Sequence, residues 1–345
     1  MIRNSHASLR GKSLPLPTFT AMQKTFFLLL IACFVASCAK LPVETANYKH
    51  TAYDVLTGPE DFVLDTSSFP RLIVACGTKR KGDASKGGFF SIYLNSKHVE
   101  PMKVFMPDSI GLFPHGIDLV KQNDSMIILA VNHEYISKKK TRHSVLRFLL
   151  KHDRLYFIQQ VVSPEMKHPN AVCGLADGSF FFSNMYTGGM LSMGNITYCK
   201  NGDCDVASRK IRYANGVTFY NKRLYVASTL ENKIFSYSID NEKLLDEKVE
   251  GELKGGDNLR VVYDKLYCAA HLKLWAFIKH YKNFRKHSPT AVFEKDLLTG
   301  KSEIIYFNKG EVIDASSTAL KYKSKIYVTG VFDPEVVEIK KEIGD

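Results

Sequence analysis

After residue 50, short runs of apolar residues alternate with clusters of turn-forming residues along the whole chain. The segment RYANGVTFYNKRLYVAS, residues 212–228, shows the pattern: strand-forming runs VTF and LYV flank a turn sequence NKR. Asn215 stands at the start of the first run and is followed by Gly216. Because Asn-Gly is a strong hairpin signal, this segment alone favours a turn at Asn215 over a role in binding a ligand.

Five other segments repeat the same order of polar start, short apolar strand, turn and strongly apolar strand. They are GPEDFVLDTSSFPRLIVACG (58–77), FPHGIDLVKQNDSMIILAVN (113–132), HPNAVCGLADGSFFFSN (168–184), GGDNLRVVYDKLYCAA (255–270) and DASSTALKYKSKIYVTG (314–330). In every one the turn comes later in the segment, at the position of NKR. The comparison therefore argues against a hairpin turn at Asn215.

The six units predict a single all-β domain, a six-bladed β-propeller over residues 51–345. Their starts are 43 to 59 residues apart, and a period of about 40 to 50 residues with several strands per unit is typical of propellers. Further strand-like runs, such as SVLRFLL, KIFSYSI, TAVFEKDL and EVVEIKK, lie between the units and can supply outer strands. Residues after 50 show no long helical periodicity.

Polar residues occupy the starts of the predicted inner strands, which converge at one end of a propeller channel. They are Glu60, Asp61, His115, Asn170, Asn215, Asp257, Asn258, Ser316 and Ser317. Carboxylate and amide oxygens are the ligands that Ca²⁺ prefers, and a cation relieves repulsion between clustered acids. Any one of these residues could instead be a solvated loop residue, but their recurrence at one phase of the repeat favours a calcium site.

The motifs GPEDF, FPHGI, VNHE, HPNAV, YANGV and GGDNL occur in the order found in one known family. Over roughly residues 50–340 the chain resembles the serum paraoxonase/arylesterase family of six-bladed calcium propellers, which is related to the gluconolactonase and strictosidine-synthase-like propellers. The resemblance implies a catalytic calcium ion, whose ligands would be Glu60, Asn170, Asn215, Asp257 and Asn258. It also implies a second, structural calcium ion held by Asp61 and the backbone carbonyl of Ile117.

The same resemblance implies that His115 and His133 activate water, and it places His271 near a histidine of the family's active site. Two departures affect the second calcium site. Ala171 follows Asn170 where the family has an aspartate, and Met185-Tyr186 stand where it has Asp-His. The second site therefore loses acidic ligands.

These observations predict a calcium-dependent hydrolase of lactones or aryl esters, whose substrate carbonyl is polarised by the metal. His115 would take a proton from the attacking water and His133 would relay it. The chain has no Gly-x-Ser-x-Gly motif, which disfavours a serine hydrolase. The alternative is a non-catalytic, calcium-stabilised propeller that binds a ligand or a protein at the cell envelope.

The N-terminal residues predict export and lipid anchoring. MQKTFFLLLIACFVASC, from Met22, has a lysine-bearing start and a short apolar run, and it ends in a lipobox at Cys38. We expect residues 1–37 to be an upstream extension and lipoprotein signal, and residues 38–50 to be an anchor linker. The protein would then be lipid-anchored in a bacterial cell envelope, facing the periplasm or the surface. An ordinary cleaved signal or a membrane anchor is the alternative.

Charge and cysteine content narrow the expected partners. The formal charge of +12 falls to +8 without residues 1–37, which contain four basic and no acidic residues. Because the protein would be exported, we expect no nucleic-acid partner. We expect its partner to be a small ester or lactone substrate and the protein to be a monomer.

Cys199 and Cys204 bracket the turn KNGD and predict a local disulfide. The remaining cysteines after Cys38 are expected to be buried thiols. The segment LWAFIKHYKNF, residues 274–284, predicts either a short lid helix or loop over the cup, or outer-strand packing.

Overall fold

The computed structural model describes residues 41–77, 87–137, 140–189 and 192–342. Their strands form six separate sheets, five with four strands and one with five. This confirms the predicted six-bladed β-propeller. The signal and lipidation predictions for residues 1–37 and Cys38 lie outside the described residues. Within the described ranges, no helix is long and apolar enough to cross a membrane.

Each blade begins with its inner strand and continues outward. Blade one contains β2 (Asp61–Asp65), β3 (Arg71–Cys76), β4 (Gly88–Tyr93) and β5 (Val99–Pro101). Blade two contains β7 (Pro114–Gln122), β8 (Ser125–Ser137), β9 (Lys140–Lys151), β10 (Arg154–Val161) and the parallel edge strand β6 (Lys103–Phe105). Blade three contains β11 (Pro169–Gly174), β12 (Phe180–Asn184), β13 (Asn195–Lys200) and β14 (Asp203–Val206).

The remaining blades have four strands each, and one helix follows the second strand of blade five. Blade four contains β15 (Ala214–Tyr220), β16 (Arg223–Ser228), β17 (Lys233–Asp240) and β18 (Lys243–Glu252). Blade five contains β19 (Gly256–Val262), β20 (Lys265–Ala270), β21 (Thr290–Asp296) and β22 (Ser302–Asn308), with helix α1 (Leu274–Lys282) between β20 and β21. Blade six contains β23 (Ser316–Tyr322), β24 (Lys325–Gly330), β25 (Glu335–Lys341) and β1 (Tyr48–Asp54).

Strand β1 closes the ring by adding to the last blade. It pairs antiparallel with β25, from Tyr48 opposite Lys341 to Asp54 opposite Glu335. The expected anchor linker, residues 38–50, is therefore too long, because β1 already begins at Tyr48. A local pattern could not show this, since the pairing joins the two ends of the domain.

Apolar clusters fill the spaces between neighbouring blades. One joins blades one and two around Ile73, Ile117 and Phe148, and another joins blades three and four around Phe181 and Val226. Each blade is thus buried on both faces, so its strands read as short apolar runs. Cys199 and Cys204 form a disulfide at the β13–β14 turn, and the buried free thiols are Cys76, Cys173 and Cys268.

Candidate active site

Irregular pairing at the starts of the inner strands positions the polar residues of the site. The register between inner and second strand shifts at Pro114/Ile117, Pro169/Val172, Ala214/Val217, Gly256/Leu259 and Ser316/Thr318. A β-bulge of this kind redirects a side chain that a regular strand would point elsewhere. The bulges occur in blades two to six, at the residues that the sequence assigned to the metal site.

Gly216 shows why Asn-Gly opens the fourth inner strand. A Cβ atom at Gly216 would lie 2.6 Å from the carbonyl oxygen of Asp257, so glycine lets the inner strands of blades four and five approach closely. The hairpin turn lies at Asn221 and Lys222, both of which have positive φ, at 45° and 62°. The rejection of a turn at Asn215 is therefore confirmed.

Six buried residues form what we call the polar cup at one end of the channel. They are Glu60, His115, Asn170, Asn215, Asp257 and Asn258. Short contacts connect several of them: Glu60 Oε1 lies 2.8 Å from His115 Nε2, and Asn170 Nδ2 lies 3.3 Å from the same nitrogen. Asn258 Nδ2 lies 3.4 Å from the carbonyl oxygen of Glu60.

Hydrogen bonds donated by the side-chain amide nitrogens fix the orientation of the cup's asparagines. Asn215 Nδ2 donates to Thr229 Oγ1 at 3.1 Å, and Asn258 Nδ2 donates to Thr318 Oγ1 at 3.0 Å. Asn170 Nδ2 contacts Met185 Sδ at 3.3 Å in addition to His115. With their nitrogens engaged by protein atoms, the three side chains have only their oxygens left to bind a ligand.

Four buried oxygens of the polar cup have no hydrogen-bond partner among the described residues. They are Oδ1 of Asn170, Asn215, Asp257 and Asn258. A buried polar atom without a partner costs about 1–3 kcal/mol, and four of them in one cup indicate a ligand that supplies positive charge. Hard oxygen donors on a shared axis fit Ca²⁺, so the chemistry of the residues agrees with the predicted calcium site.

Three histidines extend from the cup in a continuous row. His115 Nδ1 lies 2.8 Å from His133 Nε2, and His133 Nδ1 lies 2.8 Å from His143 Nδ1. Burial, followed by the nearby His168 and His115, lowers the pKa of His143 to about 4. His143 is therefore neutral near pH 7, and the row forms a hydrogen-bonded path that leads a proton away from His115.

His143 was not among the site residues predicted from the sequence. Strands β8 and β9 are 13 and 12 residues long, and their outer ends place His133 directly opposite His143. The signal was available: pairing VNHE with TRHS across the hairpin brings these histidines together. The repeated pattern covers only the first two strands of each unit, whereas His143 lies on β9, the third strand of its blade.

His271 lies at the edge of the cup, as the family resemblance implied. Its Nε2 is 2.9 Å from Asp257 Oδ2, and its ring centroid is 4.4 Å from that of Phe277 on helix α1. This confirms the lid-helix alternative over outer-strand packing for LWAFIKHYKNF, because Leu274–Lys282 is helical and Phe277 covers His271.

The second calcium site needs correction, because a protein cation occupies the predicted ligands. Arg260 Nη2 lies 2.5 Å from Asp61 Oδ1 and donates to the carbonyl oxygen of Ile117 at 2.9 Å. Its Nε donates to the carbonyl of Phe62 at 2.7 Å, and its Nη1 to that of Leu259 at 2.7 Å. We call Asp61, Ile117 and Arg260 the deep site, and its residues do not fit a metal ion.

Other donors also face the deep carboxylate. Asp61 Oδ2 accepts the amide of Ile117 at 2.7 Å, and Thr318 Oγ1 lies 2.7 Å from Oδ1. Burial raises the pKa of Asp61, whereas Arg260, the Ile117 amide and Thr318 act in the opposite direction. Arg260 also lines a cavity of about 530 Å³ that Leu119 and Phe219 border, and none of the six polar-cup residues lines it.

The fold and the site define a six-bladed β-propeller with an oxygen-rich cup beside a row of histidines. The family model described as arylesterase matches residues 86–336, most of the chain. The chain therefore belongs to the arylesterase family, which agrees with the family resemblance found in the sequence. No curated protein matches the chain in sequence.

Solved structures with low sequence identity share the fold. A gluconolactonase from Xanthomonas campestris matches with a TM-score of 0.57 and 14% identity, covering 86% of this chain and 91% of that one. The PQQ-bound form of an aldose sugar dehydrogenase from Streptomyces coelicolor matches with a TM-score of 0.51 and 12% identity, covering 86% and 99%. At such identities these likenesses support the propeller fold alone.

Proposed function

We propose that this arylesterase-family protein is a calcium-dependent hydrolase of lactones or aryl esters and that the polar cup is its active site. The observation that carries the proposal is the set of four buried, unpartnered oxygens next to the His115–His133 pair. A binding scaffold needs the oxygens to hold an ion, but it has no need of a histidine row leading away from them.

The residues that would hold the ion are Glu60, Asn170, Asn215, Asp257 and Asn258, which are all less than 7% exposed. Calcium bound there would supply a Lewis acid that polarises the carbonyl of the substrate. Because Thr229 and Thr318 hold the amide nitrogens of Asn215 and Asn258, the protein fixes the oxygens before any ligand arrives. Such preorganisation lowers the cost of binding.

His115 would accept the proton of the attacking water at Nε2. In the structure Nε2 faces Glu60 Oε1 at 2.8 Å, a contact in which Nε2–H donates to the carboxylate. His115 Nδ1 then accepts from His133 Nε2–H, and His133 Nδ1 accepts from His143 Nδ1–H. To act as a base at Nε2, His115 must instead carry its proton on Nδ1, and His133 and His143 must change tautomer in the same way. When Nε2 takes up the proton of water and a proton passes outward along the row, each of the three rings returns to the tautomer described above.

Aromatic side chains at the mouth of the cup suit a substrate with an apolar or aryl group. Tyr135 is 55% exposed and Tyr281 is 44% exposed. Tyr135 lies on β8 two residues after His133. Tyr281 packs on Phe332, which in turn packs on Phe277 beside His271. Phe113 and Phe332 support their rings at centroid distances of 5.1 and 5.7 Å. Ligand pockets commonly combine such apolar walls with a few fixed polar groups.

A hydrolysis assay with calcium-loaded protein over a panel of lactones and aryl esters tests the proposal. His115→Gln should preserve the fold and calcium binding but lower kcat by roughly 10²-fold or more, the usual contribution of a general base. His98→Gln is the matched control, because His98 is exposed and pairs with Glu100 at 3.3 Å, in blade one rather than in the cup. Its turnover should equal that of the wild type.

Two outcomes would contradict the proposal. Equal turnover in His115→Gln and wild type would remove His115 from the chemistry. Absence of turnover on the whole panel by protein shown to contain calcium would favour the alternative, a calcium-stabilised propeller that binds a ligand or protein.

We also propose that the protein works as a lipid-anchored monomer of a bacterial cell envelope. The support is Val35-Ala36-Ser37-Cys38 after a short apolar run. Cys38→Ser should release the protein from the membrane fraction. Mass spectrometry of native protein that detected residues 22–37 still attached would contradict lipidation at Cys38.

A further inference from the structure

A second group of metal-binding side chains lies beside helix α1. His280, Asp314 and Asp333 each offer a ligand atom, and these atoms all lie within 4.8 Å of one another. His287 joins them, since its Nδ1 lies 3.0 Å from Asp314 Oδ2. The four residues, which we call the helix cluster, share no member with the polar cup or the deep site.

The helix cluster joins separate elements of the fold. His280 lies on helix α1 and is 1% exposed, and His287 lies in the segment that leads from the helix to β21. Asp314 precedes β23, the inner strand of blade six, and Asp333 lies between β24 and β25. An ion bound by His280, Asp314 and Asp333 would therefore tie the helix to the last blade.

Surrounding backbone groups orient two of the ligands. His280 Nδ1 lies 2.7 Å from the carbonyl oxygen of Lys286, a contact that requires Nδ1–H and leaves the ring's lone pair on Nε2. The backbone amide of Ser288 donates to Asp314 Oδ1. Metal-binding histidines commonly donate their other ring N–H to a backbone carbonyl in this way, and metal-binding carboxylates are themselves hydrogen-bonded.

The chain also leaves room for the carboxylate. Gly310 has φ of 103°, and a Cβ atom at this position would lie 2.3 Å from Asp314 Oδ1. Any other residue here would adopt a strained backbone and displace the carboxylate.

We propose that the helix cluster is a zinc site, with His280, Asp314 and Asp333 as its ligands and His287 as a hydrogen-bond partner of Asp314. One imidazole and two carboxylates provide three of the four nitrogen and oxygen donors that Zn²⁺ binds tetrahedrally, and a water molecule can provide the fourth. Imidazole is a poor ligand for Ca²⁺, so the cluster and the polar cup select different ions. The two carboxylates, one of them buried, give the charge that a divalent ion neutralises.

The ion would hold the helix over the candidate active site. Phe277 on the same helix packs on His271, which contacts Asp257 of the cup at 2.9 Å. His280 also packs on Phe332, with ring centroids 5.5 Å apart. Zinc at the helix cluster therefore stabilises the wall of the cup without taking part in hydrolysis.

The test is a titration of full-length protein that has been stripped of metal and then saturated with calcium. Calorimetry with Zn²⁺ should show one ion per chain, and Co²⁺ should give the visible absorption of a tetrahedral site. His287→Gln and Asp333→Asn should each weaken Zn²⁺ binding by at least the roughly 10- to 100-fold that loss of an outer-shell partner costs. The control His98→Gln changes another histidine that pairs with a carboxylate and should bind Zn²⁺ as the wild type does.

A further variant separates the two metal sites. Asn215→Ala removes an oxygen of the polar cup and should leave Zn²⁺ affinity unchanged. Loss of Zn²⁺ binding in Asn215→Ala, or its retention in the His287→Gln/Asp333→Asn double variant, would overturn the assignment. Absence of any Zn²⁺ or Co²⁺ binding to the wild type would do the same.

Discussion

Substitution of Arg260 by methionine tests the reinterpretation of the deep site. The guanidinium donates to the carboxylate of Asp61 and to the carbonyls of Phe62, Leu259 and Ile117, while the whole residue is 7% exposed. Methionine fills much of the same volume but donates no hydrogen bond. The variant therefore leaves a buried carboxylate without its cation.

The expected loss of stability is large. Removing one partner of a buried ion pair costs about 3–5 kcal/mol, and three carbonyls lose donors at the same time. With an unfolding entropy near 2.1 cal/mol/K per residue over roughly 300 residues, this corresponds to a Tm about 5–8 °C lower. Thermal unfolding monitored by circular dichroism in saturating calcium measures the shift.

Two further variants distinguish buried charge from general damage. Arg223→Met removes an arginine whose partner, Asp246, is 57% exposed, so it should cost only about 1 kcal/mol or less. Adding Asp61→Asn to Arg260→Met removes the carboxylate that Arg260 contacts directly and should recover part of the lost stability; the buried Asp118, which Arg260 also influences, remains. The reasoning is refuted if Arg260→Met costs no more than Arg223→Met, or if the double variant is no more stable than Arg260→Met.

Three other perturbations have defined outcomes. Chelation of calcium should lower the Tm, and readdition at 100 times Kd should restore about 2.7 kcal/mol; an unchanged Tm in protein shown to contain calcium would count against the cup as its site. Burial depresses the pKa of His143 from 6.5 to about 4, so wild-type stability should fall as the pH drops between these values. His143→Gln should flatten this fall in pH-dependent melts, and an unaltered slope would contradict it. Cys204→Ser opens a disulfide between residues five positions apart. Because the open chain regains loop entropy in the unfolded state, the variant should lose about 2 kcal/mol of unfolding free energy. Denaturant titration measures this loss, and an unchanged free energy of unfolding would contradict the loop-closure model.

The sequence predicted the number of blades because each blade buries both faces and so repeats a strongly apolar strand at a regular interval. It also located the polar cup, since equivalent positions in a closed ring must meet at the channel. Strand β1 was not predicted, and the domain was expected to begin at residue 51, because the pairing of β1 joins residues almost 300 positions apart, as in Tyr48 with Lys341. No local pattern encodes such a contact.

The side-chain directions at the bulges and the role of Arg260 in the deep site could not be predicted from the repeat pattern alone. Asp257 and Asn258 are consecutive, and a regular strand would point them to opposite sides; only the register shift between Gly256 and Leu259 explains how both serve one cup. Arg260 lies within the short apolar strand that the sequence predicts after Asn258. A charged residue two positions after Asn258 lies on the same side of the strand, and that spacing was the available signal for a cation on the axis.

Arg260 changes what a bound metal ion would have to do in this protein. A bound ion stabilises the native state only to the extent that its concentration exceeds its dissociation constant, whereas a guanidinium is present at every calcium concentration. Ala171, which stands where the family has an aspartate, is consistent with Arg260 taking the place of a second calcium ion. An arginine carries one positive charge and needs fewer acids around it than a divalent ion would. The deep site can therefore hold blades one, two and five together without metal, through Asp61, Ile117 and Arg260. Under the proposed function, calcium in the polar cup would serve mainly the cup itself, so its removal should abolish hydrolysis while the propeller remains folded.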